Sequence, residues 1–246
     1  MLIVILLLLL LIIILIILIL ILDPAPFYKF AEILLPNDNI LPSKCHRFIK
    51  YLEDKKMLLR NYTQNVDGLE RKVGINKVIE CHGSFSSFKC LDCNKIKKLD
   101  NDIKKCIKNK QVLYCDHKKC KGEGILKPEI TFFGEKLPKI FEKISKDDII
   151  SKCDCIIVMG TSLKVGGSVH EILKNMDITI PRILINKNVV NVPNSREFDL
   201  CLLGDCDNII SYLCSSLQWI IDEPNPNINE WNCQLKDIGI YEISNS

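Results

Sequence analysis

Two cysteine pairs constrain this chain more than any other feature: Cys90-Leu-Asp-Cys93 and, further on, Cys115-Asp-His-Lys-Lys-Cys120. Two residues between cysteines let a tight knuckle aim both thiolates at one tetrahedral ion, and four sulfurs suggest structural zinc with no position left open for chemistry. The second pair is spaced more widely, and His117 between its members is a rival third ligand. Both pairs lie in a stretch, Ser86 to Lys127, that holds twelve lysines and five acids. That local +7 leaves −4 for the rest of a chain whose formal net charge is +3. Weak periodicity marks residues 86–127 as an inserted module, and its lysines read mainly as a solvated face. Other cysteines, Cys153, Cys155 and Cys201 among them, sit in apolar strand-like runs and read as free thiols in a reducing compartment.

Around the module, strands alternate with helices. Leu58–Thr63, Val78–Cys81, Ile156–Met159 and Arg182–Ile185 read as strands. Helical patterns fall within Ala31–Lys56, Leu137–Ser151, Ser168–Met176 and Asp207–Ile221, and Cys45, Phe48, Ile49 and Leu52 recur at helical spacing within the first. Such alternation predicts a parallel α/β sheet. With 246 residues, 48% hydrophobic and 26% charged, one core with a small satellite is expected. Asp23 to Leu41, punctuated by Pro24, Pro26 and Pro36, reads as a linker, and residues 217–246 as a C-terminal tail.

Residues 1–22 are wholly apolar, almost all Leu and Ile. As a helix at about 1.5 Å per residue they reach roughly 33 Å, enough to cross a hydrocarbon core of about 30 Å. The run reads either as a transmembrane anchor or as a mis-assigned start, because flanking basic residues and an aromatic belt are missing. It has no basic n-region and no small-residue cleavage site of a cleavable signal peptide.

Three further constellations carry chemistry. Gln64-Asn65-Val66-Asp67 follows one strand, and His82-Gly83 follows the next, where parallel sheets bind ligands at their carboxyl ends. Gly160-Thr161-Ser162-Leu163 and Asn186-Lys187 close two more strands; a small-residue turn of this kind lets backbone N–H groups approach a phosphate or ribose. Each motif taken alone has a plain structural reading as a turn or a cap.

In order along the chain, Gln64-Asn-Val-Asp67, His82-Gly83, Cys90-Xaa-Xaa-Cys93, Lys127-Pro-Glu-Ile-Thr-Phe-Phe-Gly-Glu135, Gly160-Thr-Ser-Leu163 and Gly204-Asp-Cys206 resemble the sirtuin family. The likeness runs from about Pro24 to Leu213, within a sirtuin-type domain spanning 23–216. It implies an α/β fold, a Rossmann-type parallel sheet (N-terminally truncated) with a small inserted zinc-binding module. It also implies an NAD-dependent protein lysine deacetylase that transfers the acetyl group to ADP-ribose and releases nicotinamide. A catalytically impaired remnant that binds NAD or acylated protein is the alternative.

By that resemblance His82 is the general base that draws a proton from a ribose hydroxyl. Gln64, Asn65 and Asp67 serve the nicotinamide side of NAD. Gly160, Thr161 and Ser162 face its phosphates and ribose, Asn186 and Lys187 the adenosine ribose, and Cys206 the adenine edge. Thr131, Phe132, Phe133, Gly134 and Glu135 line the acyl-lysine tunnel opposite Val165 and Gly166, and Cys90, Cys93, Cys115 and Cys120 hold Zn2+. The partner is an acetylated protein lysine, of a histone or another protein, with no direct nucleic acid expected. The compartment is nuclear or cytoplasmic, or a membrane where the leader is genuine. Two family motifs do not occur: the opening Gly-Ala-Gly turn, and a Gly-Ile-Pro-Asp-Phe-Arg stretch that covers the nicotinamide pocket.

Overall fold

A computed structural model describes residues 23–36, 39–132, 135, 137–151, 153–163, 168–190, 195–221 and 231–245. In chain order the first elements are α1 (Ala25–Leu34), α2 (Lys44–Asp54), β1 (Asn61–Thr63), α3 (Leu69–Lys72), β2 (Val78–Glu80), β3 (Gly83–Cys90) and β4 (Ile96–Lys98). There follow α4 (Asn101–Lys108), β5 (Leu126–Ile130), α5 (Lys139–Ser151), β6 (Ile156–Met159), α6 (Ser168–Asn175) and β7 (Arg182–Asn186). The last are β8 (Leu200–Leu203), α7 (Cys206–Ser216), β9 (Trp231–Asp237) and β10 (Ile240–Asn245). They gather into two compact units, one of Met1–Ile40, Thr63–Gly68 and Glu80–Pro138, the other of Leu41–Tyr62, Leu69–Ile79 and Lys139–Ser246.

The first unit is built on an antiparallel sheet of order β4-β3-β5. Phe85 and Phe88 on β3, Leu126 on β5, Ile103 and Ile107 on α4 and Tyr28 on α1 form its core, each at most 2% exposed. Burying side chains of this size contributes about 2–3 kcal/mol apiece. The i, i+4 spacing of Ile103 and Ile107 fixes the buried face of α4, and Asp100 caps its start by accepting from the Ile103 N–H at 2.8 Å. The expected linker over Asp23–Leu41 is instead helical over Ala25–Leu34. Pro24 and Pro26 sit at the start of α1, where a missing N–H costs nothing, and Tyr28 and Ala31 then bury one above the other. The Tyr28 hydroxyl donates to the Leu126 carbonyl, so the helix is tied to β5 by a polar contact as well as by packing.

The second unit carries a five-stranded sheet of order β6-β7-β8-β10-β9. β6, β7, β8 and β10 run parallel, in register at Ile156↔Arg182, Ile183↔Leu200 and Ile240↔Cys201, and β9 runs antiparallel to β10. Phe48 from α2, Ile209, Ile210 and Cys214 from α7, and Ile185, Leu202 and Ile243 from the strands form one core cluster, with Trp219 stacked on Phe48. The expected tail thus supplies two strands to the sheet. A buried carboxylate, Asp148 on α5, accepts from Arg60 Nε at 3.0 Å and from the Tyr62 hydroxyl at 2.6 Å, which fastens the entry to β1.

β1 and β2 form a separate two-stranded sheet. Asn61 N–H donates to the Lys77 carbonyl at 2.8 Å and Cys81 N–H to the Thr63 carbonyl at 2.9 Å. Among the described residues β6 pairs with β7 alone, so one edge of the larger sheet carries no partner strand. No helix among the described residues is long and apolar enough to cross a membrane, and the apolar leader lies outside them.

Candidate functional site

The four cysteines converge. Their sulfurs all lie within 4.8 Å of one another, with Cys90 to Cys120 and Cys93 to Cys115 at 3.7 Å. A tetrahedral zinc with Zn–S bonds of about 2.3 Å sets its sulfurs about 3.8 Å apart, the spacing of those two pairs, so the quartet can close on one ion by small side-chain adjustments. Cys93 N–H points at the Cys90 sulfur at 3.5 Å and His117 N–H at the Cys115 sulfur at 3.4 Å, the donors a thiolate shell requires. The residue after each pair, Asn94 and Lys121, takes the left-handed conformation that turns the chain back on itself. Gly124 completes the cradle, because a Cβ there would stand 2.9 Å from the Cys90 sulfur. His117 is set aside as a ligand: its Nδ1 accepts from the Lys119 N–H at 3.3 Å and caps a short 3-10 turn over Lys118–Cys120.

His82 follows β2 in the first unit, half-buried. Its carbonyl accepts from the Thr131 N–H at 2.8 Å, which binds it to the segment after β5. Burial pushes the imidazole below its ordinary pKa of 6.5, so the ring is neutral at pH 7 and free to accept a proton. Gly83 fixes the position of the ring. It adopts φ +70°, and a Cβ would lie 1.9 Å from the Glu129 carbonyl oxygen, so no other residue lets β3 approach β5 here. The Gln64–Asp67 loop follows β1; Asn65 N–H donates to the Thr63 hydroxyl at 3.1 Å, and Val66 packs on the core of the unit.

Beyond β5, Glu135 accepts from the Phe132 N–H at 2.9 Å and from Lys127 Nζ at 3.0 Å, while Lys127 lies 4.2 Å from the Phe132 ring centroid. The turn after β5 is therefore closed on itself by a carboxylate, a cation and a ring. Phe133, Gly134, Val165 and Gly166 lie outside the described residues.

In the second unit four of the expected residues meet at the carboxyl ends of the parallel strands. Gly160 N–H donates to the Ile185 carbonyl at 3.1 Å, Asn186 Nδ2 donates to the Thr161 carbonyl at 2.9 Å, and the Cys206 thiol donates to Ile185 at 3.5 Å. Ser162 and Lys187 are exposed beside them. Leu163, left-handed and buried, donates its N–H to the Thr161 hydroxyl at 3.1 Å, and its carbonyl accepts from His170 Nε2 on α6. The result is a small-residue turn pinned at both ends, with exposed polar side chains at its crest. Sequence reading missed the role of Gly124, since a lone glycine in a charged loop has no signature. It also missed that Cys45 and Cys206 pack against one core cluster, the only sequence signal being that both fall on a first helical turn.

Residues 17–167 match the family model described as the Sir2 family. The chain is similar to the NAD-dependent histone deacetylase SIR2 of Candida albicans, 42% identical over 219 residues that cover 85% of this chain and 40% of that protein. It is 43% identical over 214 residues to the NAD-dependent histone deacetylase sirtuin-1 of Drosophila melanogaster, covering 79% of this chain and 25% of that one. With the NAD-dependent protein deacetylase sir-2.1 of Caenorhabditis elegans the identity is 45% over 196 residues, 79% and 30% of the two chains. The chain thus spans less than half the length of these relatives.

Proposed function

This chain belongs to the Sir2 family, and on that premise we propose that it is an NAD-dependent protein lysine deacetylase, moving the acetyl group of acetyl-lysine to ADP-ribose with release of nicotinamide. The observation that carries the reading is His82: an imidazole kept neutral by burial, set after a parallel strand and held there by a glycine that admits no side chain. NAD, when bound, supplies a sugar carbon that becomes electrophilic as nicotinamide leaves. The chain's own residues bind, orient and move a proton. Neutral His82 accepts a proton from a ribose hydroxyl, a role worth about 10²–10⁴ in rate. Gln64 and Asn65 offer amide groups to the nicotinamide ribose, and Asp67 braces their loop. Asn186, already bonded to Thr161, keeps the Gly160–Ser162 turn in the shape that receives phosphate and ribose. Lys187 meets the adenosine ribose and the backbone of Cys206 the adenine edge. Thr131 to Glu135 and Val165 receive the acyl-lysine, with Phe133 as an apolar wall for its methylenes.

The four-cysteine cluster holds zinc and contributes structure alone, since its shell is closed by protein sulfur. The substrate class is an acetylated lysine of a histone or another protein, met in the nucleus or cytoplasm. Membrane attachment through residues 1–22 is tested separately, by alkaline extraction of membranes from cells that carry the full chain.

The deciding assay is nicotinamide release from NAD with an acetyl-lysine histone peptide. Turnover that drops by about 10²-fold or more in His82→Ala is expected. Equal rates in the two proteins would sink the assignment of His82. Calorimetric NAD binding without any release by the unaltered chain would leave a binding remnant in place of an enzyme.

A further inference from the structure

Two thiols stand where two helix N-termini meet. Cys45 lies in the first turn of α2 and Cys206 opens α7, both eleven-residue helices. The Cys45 N–H donates to the Asp207 carboxylate in the first turn of α7 at 2.9 Å, and Lys44 Nζ donates to Ser211 in its second turn at 2.8 Å, so the start of α2 is bonded along the start of α7. Asp207 is the residue after Cys206, and both cysteines pack against the same core cluster, so the two thiols share one helix junction. On its other side Cys206 touches the cofactor-side turn: its sulfur is 3.5 Å from the Ile185 carbonyl, and a Cβ at Gly160 would stand 4.0 Å from it. Both cysteines are only partly buried.

The charges around the pair divide the labour. Cys206 has backbone N–H groups before it and is brought down to about 7, chiefly by the Cys45 hydrogen bond, against the opposing carboxylates of Asp205 and Asp207. Cys45 is pushed up, first by the neighbouring Cys206 sulfur, then by burial and by the Asp207 carboxylate. Cys206 is thus the sulfur that loses its proton more readily, and Cys45 the one that keeps it.

The geometry points to Cys45 and Cys206 as an oxidation site, at which a peroxide joins the two thiols into a cystine that draws Cys206 away from the Gly160 turn. The Cys206 thiolate attacks a peroxide oxygen; an S–O bond forms, the O–O bond breaks, and the departing hydroxide leaves as water after taking a proton. Cys45 then attacks the sulfenic sulfur, an S–S bond forms, the S–O bond breaks, and the second water carries off the Cys45 thiol proton. Two thiols and one peroxide give one disulfide and two waters, with two electrons passing from sulfur to oxygen. Closing the sulfurs to about 2.05 Å needs side-chain rotation at two first-turn positions. The consequence for NAD rests on the proposed function above, whereas the disulfide itself does not.

The test treats the full zinc-loaded chain with a small excess of hydrogen peroxide, blocks free thiols, and maps linked peptides by mass spectrometry while zinc release is followed with a metallochromic dye. A Cys45–Cys206 peptide that dithiothreitol reverses, formed before zinc is lost, is expected. In Cys45→Ser or Cys45→Ala that peptide is replaced by a dimedone adduct on Cys206. NAD affinity of the oxidised wild-type chain should fall at least about tenfold and return on reduction. Crosslinks confined to Cys90, Cys93, Cys115 and Cys120, accompanied by zinc release, would overturn the proposal. Unchanged NAD affinity in fully crosslinked protein would overturn its cofactor-side half. A reduced chain that binds no NAD, yet forms the crosslink, would instead remove the proposed function and leave the oxidation site standing.

Discussion

The two units hold their shape by different means. The first is a short antiparallel sheet and two small helices stapled by four sulfurs, with residues such as Gly83 and Gly124 at positions that tolerate no side chain. The second is a parallel sheet whose strands come from far apart in the chain and are joined by apolar packing. A small unit cannot bury enough surface to be stable by packing alone, so it depends on a metal; a larger sheet depends on complete pairing. The lesson is that damage should stay local, to the metal in one unit and to strand edges in the other.

Metal removal gives the largest contrast. A zinc chelator, or Cys90→Ser, should cost the first unit about 10 kcal/mol and erase amide protection across β3 to β5. Both tryptophans, Trp219 and Trp231, belong to the second unit, so their fluorescence should change little. Simultaneous loss of both signals would break the division into units. Gly83→Ala comes next. Its Cβ has to displace the Glu129 carbonyl, which predicts a loss of about 3 kcal/mol in urea unfolding, again without a tryptophan signal. A loss under about 1 kcal/mol would mean that β3 and β5 separate more easily than their register suggests.

His117→Ala should cost about 1 kcal/mol, the value of a cap, and leave one zinc per chain by metal analysis. Cys115→Ala should abolish zinc binding, and the reverse pattern would restore the histidine as ligand. The smallest effect is the titration of His82. Its folded pKa is depressed, so the neutral ring is favoured in the fold. Stability from this group is therefore complete above the unfolded value of about 6.5 and declines as pH falls through it toward the lower folded value. An NMR titration should place the His82 midpoint below about 6.5; a midpoint above it would show the ring solvated or paired with an acid.

The sequence made the apolar strands legible because Ile156–Met159 and Arg182–Asn186 are nearly continuous hydrophobic runs, a pattern that β7 realises by burial while β6, at the sheet edge, leaves Ile157 exposed. It hid α1, because three prolines outweighed the Tyr28 and Ala31 spacing until one saw that two of them fall at the helix start. It hid β9, whose residues from Asn232 to Asp237 are all exposed and so show no buried periodicity. The cysteine quartet was readable from spacing, but the choice between Cys115 and His117 was not. The folded chain places Cys115 in the sulfur quartet and His117 outside it, its ring accepting from Lys119 instead. The strand-end motifs were readable as polar turns; that Asn186 reaches Thr161 and Cys206 reaches Ile185 was not, because contacts between strand ends separated by 25 and 21 residues belong to tertiary structure.

The place of β10 sets a timetable for synthesis. This strand lies inside the sheet, between β8 and β9, yet it is built from residues 240–245. While the chain emerges from the ribosome, the first unit is complete once Pro138 is clear and can bind its metal at once. The parallel sheet has to wait about a hundred residues longer, some 5–20 s at ordinary translation speed, with the edge of β8 exposed. Nascent chains stalled before residue 240 should hold zinc but recruit chaperones to β8.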